Sequence, residues 1–224
     1  MDLTRQAVQT QAYLSTLFQV ESIQAAVERL GFLQMDPMQA PARAQDMILR
    51  QRVAGYHAGD IERTYPDLPL DEDYLHVYGI MPSALRELLH PRTHTQEVER
   101  DFPELVERVR RFIDENGEAD FLRLEAFFKE RKTRGNWGNG MKATTRVLET
   151  LHFKGHIRVK RRYGNRRVYV PAVPPASPLS AGERLRRLAG TIARLYAPMP
   201  LSTLRTLVNQ LRYSLPELEG RRTV

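Results

Sequence analysis

Apolar residues along the first ninety positions recur at helical spacing, in short runs separated by extended segments. Leu3, Ala7, Leu14 and Leu17 lie near the 3.6-residue period of a helix. Four helices are predicted in this part: residues 3–18, 22–30, 42–52 and 60–65. Ser22 is the expected N-cap of the second helix and Gly31 its C-terminal stop, while Asp60 is the expected N-cap of the fourth.

The segments between these helices follow other patterns. Residues 32–36, Phe-Leu-Gln-Met-Asp, predict a short extended segment that ends at Pro37. Residues 67–82 predict irregular or extended chain, and the acidic triplet Asp71, Glu72 and Asp73 within it predicts a solvated loop. We expect no metal site at this triplet.

The middle of the chain predicts three helices followed by a β-hairpin. The helices are residues 104–115, 120–132 and 142–153, and the strands are 157–162 and 167–170 around a Gly164–Asn165 turn. On the first helix we expect Leu105, Val109, Phe112 and Ile113 inward, and on the third Ala143, Val147, Leu148 and Leu151. This order is typical of a winged helix, a helix-turn-helix variant in which helix 142–153 would be the recognition helix and the hairpin the wing.

Residues 171–178 hold four prolines and predict a stiff linker. Two amphipathic helices follow, over residues 180–195 and 201–211, and they resemble the opening of a further unit of the same kind. The predicted fold class is mainly α with small β-hairpins, built as tandem winged helices. We predict three domains: a first winged-helix-like unit at 1–90, a second with a basic wing at 91–172, and a linker with a partial third unit at 173–224.

Charge is distributed unevenly along the chain. Residues 1–149 hold 19 basic and 24 acidic residues, whereas residues 150–224 hold 15 basic and 3 acidic ones. Six of the basic residues lie in the predicted wing: Arg158, Lys160, Arg161, Arg162, Arg166 and Arg167. The plain interpretation is a solvated surface whose arginines reflect a bias in amino-acid composition. Such a bias does not explain why acidic residues are scarce in residues 150–224. We therefore expect double-stranded DNA as the partner, with Lys142 and Arg146 of the recognition helix as further phosphate-binding candidates.

Composition excludes several chemistries. The 224-residue chain has no cysteine, which excludes a disulfide framework, a thiolate zinc site, an iron–sulfur cluster and a cysteine nucleophile. The histidines lack ligand spacing with nearby carboxylates, so we expect neither a metal nor another cofactor. No stretch is apolar enough to span a membrane, and the N-terminus shows no secretory signal. We expect a cytoplasmic, nucleoid-associated monomer.

Several segments together resemble a known family. Gly31 to Asp36, then Ala42–Arg43 and Leu49 to Val53, resemble the opening of the AlkZ/YcaQ-like bacterial DNA glycosylases. Glu72, His76 and Pro82 have the spacing of that family's Glu-x-x-x-His segment, with Tyr74 where the family usually has Trp. The second winged helix of the family is matched by these residues: Trp137, Lys142, Leu148, Leu151, Gly155, Arg161, Arg162, Arg167, Val168 and Tyr169. The family continues into a complete third winged helix and a β-barrel.

The resemblance implies a repair enzyme that acts on alkylated purines and interstrand crosslinks, with Gln34 and Asp36 as its catalytic residues. On an extended segment both side chains share one face, while Met35 points into the core. An ionised Asp36 could stabilise an oxocarbenium-like transition state and orient a water that the Gln34 amide also holds. The plain alternative is that Asp36 only caps the turn before Pro37 and that Gln34 is a surface residue.

Other residues have two interpretations each. Arg43, Arg50 and Arg52 could bind phosphates beside the site, although they lie only partly on one side of their helix. His76 could contact DNA or simply pack near two tyrosines, and Trp137 could stack on a base or pack the recognition helix. For the whole protein, the alternative to a glycosylase is a non-catalytic winged-helix DNA-binding protein such as a transcriptional regulator. RNA binding or protein docking by the basic tail has less support, because no RNP-type aromatic pattern is present.

Overall fold

A computed structural model describes residues 4–128, 132–134 and 140–215, with the backbone only for residues 132–134, 140–142, 212 and 213. The chain forms two compact units. The first combines the chain up to Leu89 with the chain from Ser177 onward, and the second is His90–Ala176. Within the described residues, no helix combines the length and the apolar character that a membrane span requires.

The first unit contains seven of the described helices and one small sheet. Its helices are α1 (Arg5–Thr16), α2 (Ile23–Leu30), α3 (Ala44–Arg50), α4 (Asp60–Thr64), α5 (Ser83–Glu87), α10 (Ala181–Tyr196) and α11 (Leu201–Gln210), with 3-10 turns at Tyr65–Asp67 and Leu211–Ser214. Its strands are β1 (Leu33–Gln34), β2 (Leu70–Tyr74) and β3 (Tyr78–Pro82), in the antiparallel order β1-β3-β2.

The second unit alternates helices with short strands. Its helices are α6 (Glu97–Asp101), α7 (Pro103–Asn116), α8 (Phe121–Phe128) and α9 (Ala143–Phe153). Its strands are β4 (Ala119–Asp120), β5 (Lys132–Arg134), β6 (Gly140–Lys142), β7 (Ile157–Tyr163) and β8 (Arg166–Pro171). Strands β4, β8 and β7 form one antiparallel sheet in that order, and β5 pairs with β6.

Local capping defines the ends of α2 as predicted. The Ser22 hydroxyl accepts a hydrogen bond from the Ala25 N–H at 3.1 Å, and Gly31 adopts φ 77° in the left-handed region. The prediction for α4 is wrong in detail, because the N-cap is Gly59. The Asp60 carboxylate instead accepts a hydrogen bond from the His57 N–H at 2.6 Å.

The acidic triplet is not a solvated loop. It lies on β2, where Glu72 and Asp73 are buried. Glu72 accepts hydrogen bonds from the Tyr65 and Tyr78 hydroxyls at 2.7 and 2.6 Å. Asp73 forms a buried ion pair with Arg86 at 3.0 Å. Hydrogen-bonding partners supplied by the surrounding elements therefore allow this acidic sequence to form an interior strand.

The helices near the C-terminal end of the described chain complete the core of the first unit. Leu188 and Ile192 of α10 pack in one apolar cluster with residues from the N-terminal part. The buried members of the cluster are Phe32, Leu75, Met81, Leu89, Leu188, Ile192, Leu211 and Leu215. Residues that we expected to open a separate third unit therefore bury their apolar faces against the first one.

The core of the second unit follows the predicted periodicity. Leu105, Val109, Phe112 and Ile113 of α7 are all buried, as are Ala143, Val147, Leu148 and Leu151 of α9. Strands β7 and β8 form the predicted hairpin, whose turn contains Gly164 at φ 60°. A register irregularity between Val159 and Arg161 changes which face of β7 its basic residues occupy.

Strands β1 and β3 approach each other closely at Gly79, which lies opposite Gln34. A Cβ atom at Gly79 would overlap the Leu33 carbonyl oxygen and the Phe32 ring. We expect Gly79→Ala to destabilise the first unit by ~1–3 kcal/mol, because β1 must move away from β3. Urea unfolding of the variant would measure the loss.

Gly190→Ala is the matched control for Gly79→Ala. In α10 the nearest atom to an added Cβ is the Arg194 guanidinium nitrogen at 3.7 Å, an ordinary contact. This variant should gain ~0.5–1 kcal/mol from helix propensity. Equal unfolding midpoints for the two variants would contradict the close strand approach.

The buried Asp73–Arg86 pair gives a second stability prediction. Arg86→Ala removes the cation beside a fully buried carboxylate, so we expect a loss of ~3–5 kcal/mol. Arg63→Ala removes the partner of the more exposed Asp60, for which we expect a clearly smaller loss of stability. Thermal and urea unfolding would compare the two variants, and similar losses would show that the buried pair contributes no more than a surface pair.

Candidate active site and nucleic-acid interface

The Gln34–Met35–Asp36 segment has the alternating burial that the sequence predicted. Met35 is buried, while Gln34 and Asp36 are both half-buried. Gln34 lies opposite Gly79 in the sheet, and the Met35 N–H donates to the Tyr78 carbonyl at 3.1 Å. The segment is therefore anchored to β3 by its backbone, with its two polar side chains partly accessible on either side of an apolar one.

Asp36 does cap the following turn. Its Oδ1 atom accepts a hydrogen bond from the Met38 N–H at 2.9 Å, across Pro37. A carboxylate has two oxygens and about four acceptor positions, so this bond leaves acceptor capacity for a water or substrate. The capping role and a chemical role are therefore compatible in the same side chain.

Behind Asp36 lies Gln45, a residue of α3 that sequence reasoning did not single out. Gln45 is 2% exposed. Its Oε1 accepts a hydrogen bond from the Asp36 N–H at 3.0 Å, and its Nε2 donates to Glu62 Oε1 at 3.2 Å. The one signal in the sequence is that Gln45 lies four residues before Leu49, which places a polar residue on the inward face of the helix.

Arg43 is part of an ion cluster next to Gln45. Its Nε atom lies 2.8 Å from Asp46 Oδ2, and its terminal nitrogen lies 2.7 Å from Glu62 Oε1. Asp46 also accepts hydrogen bonds from the Tyr56 hydroxyl at 2.7 Å and the Gly59 N–H at 2.9 Å. Burial tends to raise the pKa of Asp46, but these donors and Arg43 outweigh it and place that pKa below its usual value.

Three arginines lie on or beside α3, and their environments differ: Arg43 precedes the helix, Arg50 ends it and Arg52 follows it. Arg52 is buried and donates to the carbonyl oxygens of Ile48 and Thr16 at 2.8 and 2.6 Å. Its guanidinium therefore ties α3 to the end of α1, as Arg43 ties α3 to α4. Arg50 is exposed on α3. Of the three arginines predicted to bind phosphate, Arg50 is the exposed one.

At the Glu72 and His76 positions of the family segment, Glu72 is buried and His76 is half-buried. The His76 Nε2 atom is 2.6 Å from the Tyr196 hydroxyl, and the ring centroids of His76 and Phe32 are 5.5 Å apart. Burial lowers the pKa of His76, which favours the neutral imidazole. These contacts match the packing interpretation of His76.

The basic β7–β8 hairpin has acidic partners that lie distant in the sequence. Arg161 forms two hydrogen bonds to the Glu118 carboxylate, at 2.8 and 2.6 Å, and Lys160 lies 3.4 Å from the same carboxylate. The Arg161 hydrogen bond is the main reason that the pKa of Glu118 falls to about 2. Arg166 lies 3.3 Å from Asp120. Glu118 lies just before β4 and Asp120 lies on it. These two carboxylates balance part of the positive charge of the hairpin.

The remaining candidates for DNA contact differ in accessibility. Arg158 is exposed on β7, whereas Arg162 and Arg167 are half-buried in the hairpin and each has an interaction partner. Arg146 of α9 lies 3.1 Å from Glu97. The backbone of Lys142 ends β6, one residue before α9, and its side chain is not described. Trp137 lies outside the described residues.

Metal-binding groups do not gather in the part of the chain that the structure describes. No three or more histidine or acidic side chains come together there as potential ligands. The arrangement around Gln34 and Asp36 instead offers a carboxylate and an amide, which can bind water and interact with a developing positive charge.

Comparisons with known proteins relate this architecture to one family. The fold is similar to that of the Streptomyces sahachiroi DNA glycosylase AlkZ, with a TM-score of 0.59 and 16% sequence identity. The alignment covers 98% of this chain and 66% of that protein, so the chain spans less than two thirds of the length of the structure it matches. A comparison with curated protein sequences gives no significant match.

The family itself is identified by sequence. A model of the family described as DNA glycosylase AlkZ-like matches residues 27–215. This match includes the Gln34–Asp36 segment, α9 and the basic hairpin, so it covers most of the residues that carried the resemblance. The resemblance is confirmed, and the chain belongs to the AlkZ-like DNA glycosylase family.

Proposed function

We propose that this chain is a DNA repair glycosylase that binds duplex DNA and hydrolyses the N-glycosidic bond of N7-alkylated purines or crosslinked bases. The observation that carries the proposal is the Gln34–Asp36 segment, with two half-buried polar side chains flanking a buried methionine. Family membership supports the reaction class, and the partial accessibility of the two polar side chains supports this segment as its location.

Gln34 and Asp36 have different proposed roles in the reaction. An N7-alkylated purine carries positive charge and is a good leaving group, so the glycosidic bond breaks with its electron pair moving to the base. The Asp36 carboxylate stabilises the cationic sugar that develops and orients the attacking water. The Gln34 amide accepts from and donates to the same water. Water oxygen bonds to the sugar carbon, and its proton passes to Asp36 or solvent.

DNA binding is proposed for the second unit. After α6, its order of elements is helix α7, strand β4, helix α8, the β5–β6 pair, helix α9 and the β7–β8 hairpin, with β4 pairing at the edge of that hairpin. This order supports a winged helix with α9 as the recognition helix and the hairpin as the wing. Arg158 and the other wing cations would contact phosphates, aided by Lys142 and Arg146, and Glu118 and Asp120 would compete with DNA for part of that charge.

Replacing the carboxylate tests the proposed reaction. We expect Asp36→Asn to slow base release from duplex DNA containing N7-methylguanine by about 10²–10⁴-fold, because the amide neither stabilises the sugar cation nor accepts a proton. Single-turnover kinetics at saturating protein would measure the rate, and fluorescence anisotropy the affinity for DNA. The affinity should change by less than about twofold, since a half-buried carboxylate contributes little to phosphate binding.

Asp71→Asn provides the matched control. It removes the same charge from the half-buried edge of β2 in the same unit, and it should leave base release unchanged. A wild-type protein that binds DNA but releases no base from alkylated or crosslinked duplexes would contradict the glycosylase. That outcome would favour the non-catalytic regulator, for which Asp36→Asn should change nothing.

Salt dependence tests the DNA interface. If about five cations bind phosphate, log K should fall with log salt at a slope of roughly −4 to −5. Arg158→Ala should reduce the magnitude of that slope by about 0.9, because one phosphate contact is lost. Arg111→Ala removes an exposed arginine of α7 and should leave the slope unchanged. Equal slopes for the two variants would exclude Arg158 from the interface.

A further inference from the structure

We propose that Gln45 is a positioning residue for Asp36, and that the side chain at position 62, held in place by Arg43, fixes the orientation in which Gln45 acts. The inference rests on the proposed function, because it names the side chains that hold one of its two catalytic residues in place. Gln45 is buried and reaches Asp36 only through the backbone, so it would act without contacting DNA.

The two hydrogen bonds of Gln45 require a defined amide orientation. Its oxygen faces the Asp36 N–H at 3.0 Å, and its nitrogen faces Glu62 at 3.2 Å. A flipped amide would place N–H against N–H and oxygen against a carboxylate. Because Glu62 offers only acceptors, its presence selects the orientation that turns the carbonyl toward Asp36.

Glu62 is itself held by a cation. Arg43 lies 2.7 Å from Glu62 and 2.8 Å from Asp46, so it bridges two carboxylates. The result is an ordered sequence of donors and acceptors from Arg43 through Glu62 and Gln45 to the Asp36 amide, which we call the relay. Bonds in such a buried chain strengthen one another, and an incomplete chain leaves costly unsatisfied groups.

The relay acts where Asp36 has little other restraint. β1 ends at Gln34, and Asp36 is followed by Pro37 and an exposed stretch. Its carboxylate is fixed by the Met38 N–H and its backbone by Gln45, nine residues away in the chain. Loss of the second anchor would allow the carboxylate to move with the turn. A displacement near 1 Å is enough to cost about 100-fold in rate.

Exchanging the two relay groups separates positioning from mere packing. Gln45→Leu removes both hydrogen bonds, and Gln45→Glu places two carboxylates against each other. The double variant Gln45→Glu/Glu62→Gln restores a donor facing an acceptor, and the carboxylate introduced on α3 can still accept from the Asp36 N–H. The amide introduced on α4 keeps one oxygen that can accept from Arg43, whose terminal nitrogen lies 3.4 Å from Glu62 Oε2. We expect single-turnover base release to fall about 10- to 100-fold in each Gln45 single variant and to recover to within about threefold in the double variant.

Two further readouts make the test specific. Affinity for undamaged duplex should stay within about twofold in all variants, because Gln45 is buried. Ser22→Ala is the control for lost stability: it removes the N-cap of α2 in the same unit without touching the relay, and its rate well below its unfolding temperature should equal that of the wild type. A Gln45→Leu protein that keeps the wild-type rate, or a double variant that does not recover, would overturn the proposal.

Amide hydrogen exchange at Asp36 distinguishes failure of this inference from failure of the proposed function. The Asp36 amide should be protected in the wild type and in the double variant, and should lose protection in Gln45→Leu. If the wild type releases no base, the glycosylase proposal fails, and the exchange data alone then decide whether Gln45 holds Asp36. Unchanged protection in Gln45→Leu would overturn the relay whatever the activity shows.

Discussion

The close approach of β3 to β1 at Gly79 is the contact on which the candidate active site depends. With no Cβ at this position, the Leu33 carbonyl and the Phe32 ring can lie directly against the strand. That contact sets the register in which Met35 is buried and bonded to Tyr78. Because alternate residues of extended chain face opposite ways, the same register leaves Gln34 and Asp36 partly accessible.

The interior of the unit that contains this segment includes several buried polar interactions. Glu72, Asp73 and Asp46 are all buried carboxylates, and tyrosine hydroxyls and arginines satisfy them. Ion pairs in such positions add little net stability over apolar packing, but breaking one of them is costly. An interior of this kind constrains geometry strongly, which suits a region that must hold two side chains in fixed positions.

Sequence periodicity predicted most helices of both units and the hairpin of the second, because those patterns reflect local burial. It failed where a residue's environment comes from distant chain. The acidic triplet was expected to be solvated, because the sequence does not indicate that Tyr65, Tyr78 and Arg86 bind its carboxylates. Gln45 and Glu118 were missed for the same reason. Gln34 and Asp36 were predicted because their spacing on extended chain and the family resemblance pointed to the same segment.

The first unit is discontinuous, and the whole of the second unit lies between its two parts in the sequence. A ribosome therefore finishes residues 90–176 before it has made Leu188, Ile192 or Leu211, which cover Phe32 and Met81. Domains fold as units while they emerge during synthesis. The second unit can consequently reach its native state first. Until the C-terminal helices are made, the N-terminal part that carries Gln34 and Asp36 exposes apolar surface of the kind that chaperones protect from aggregation.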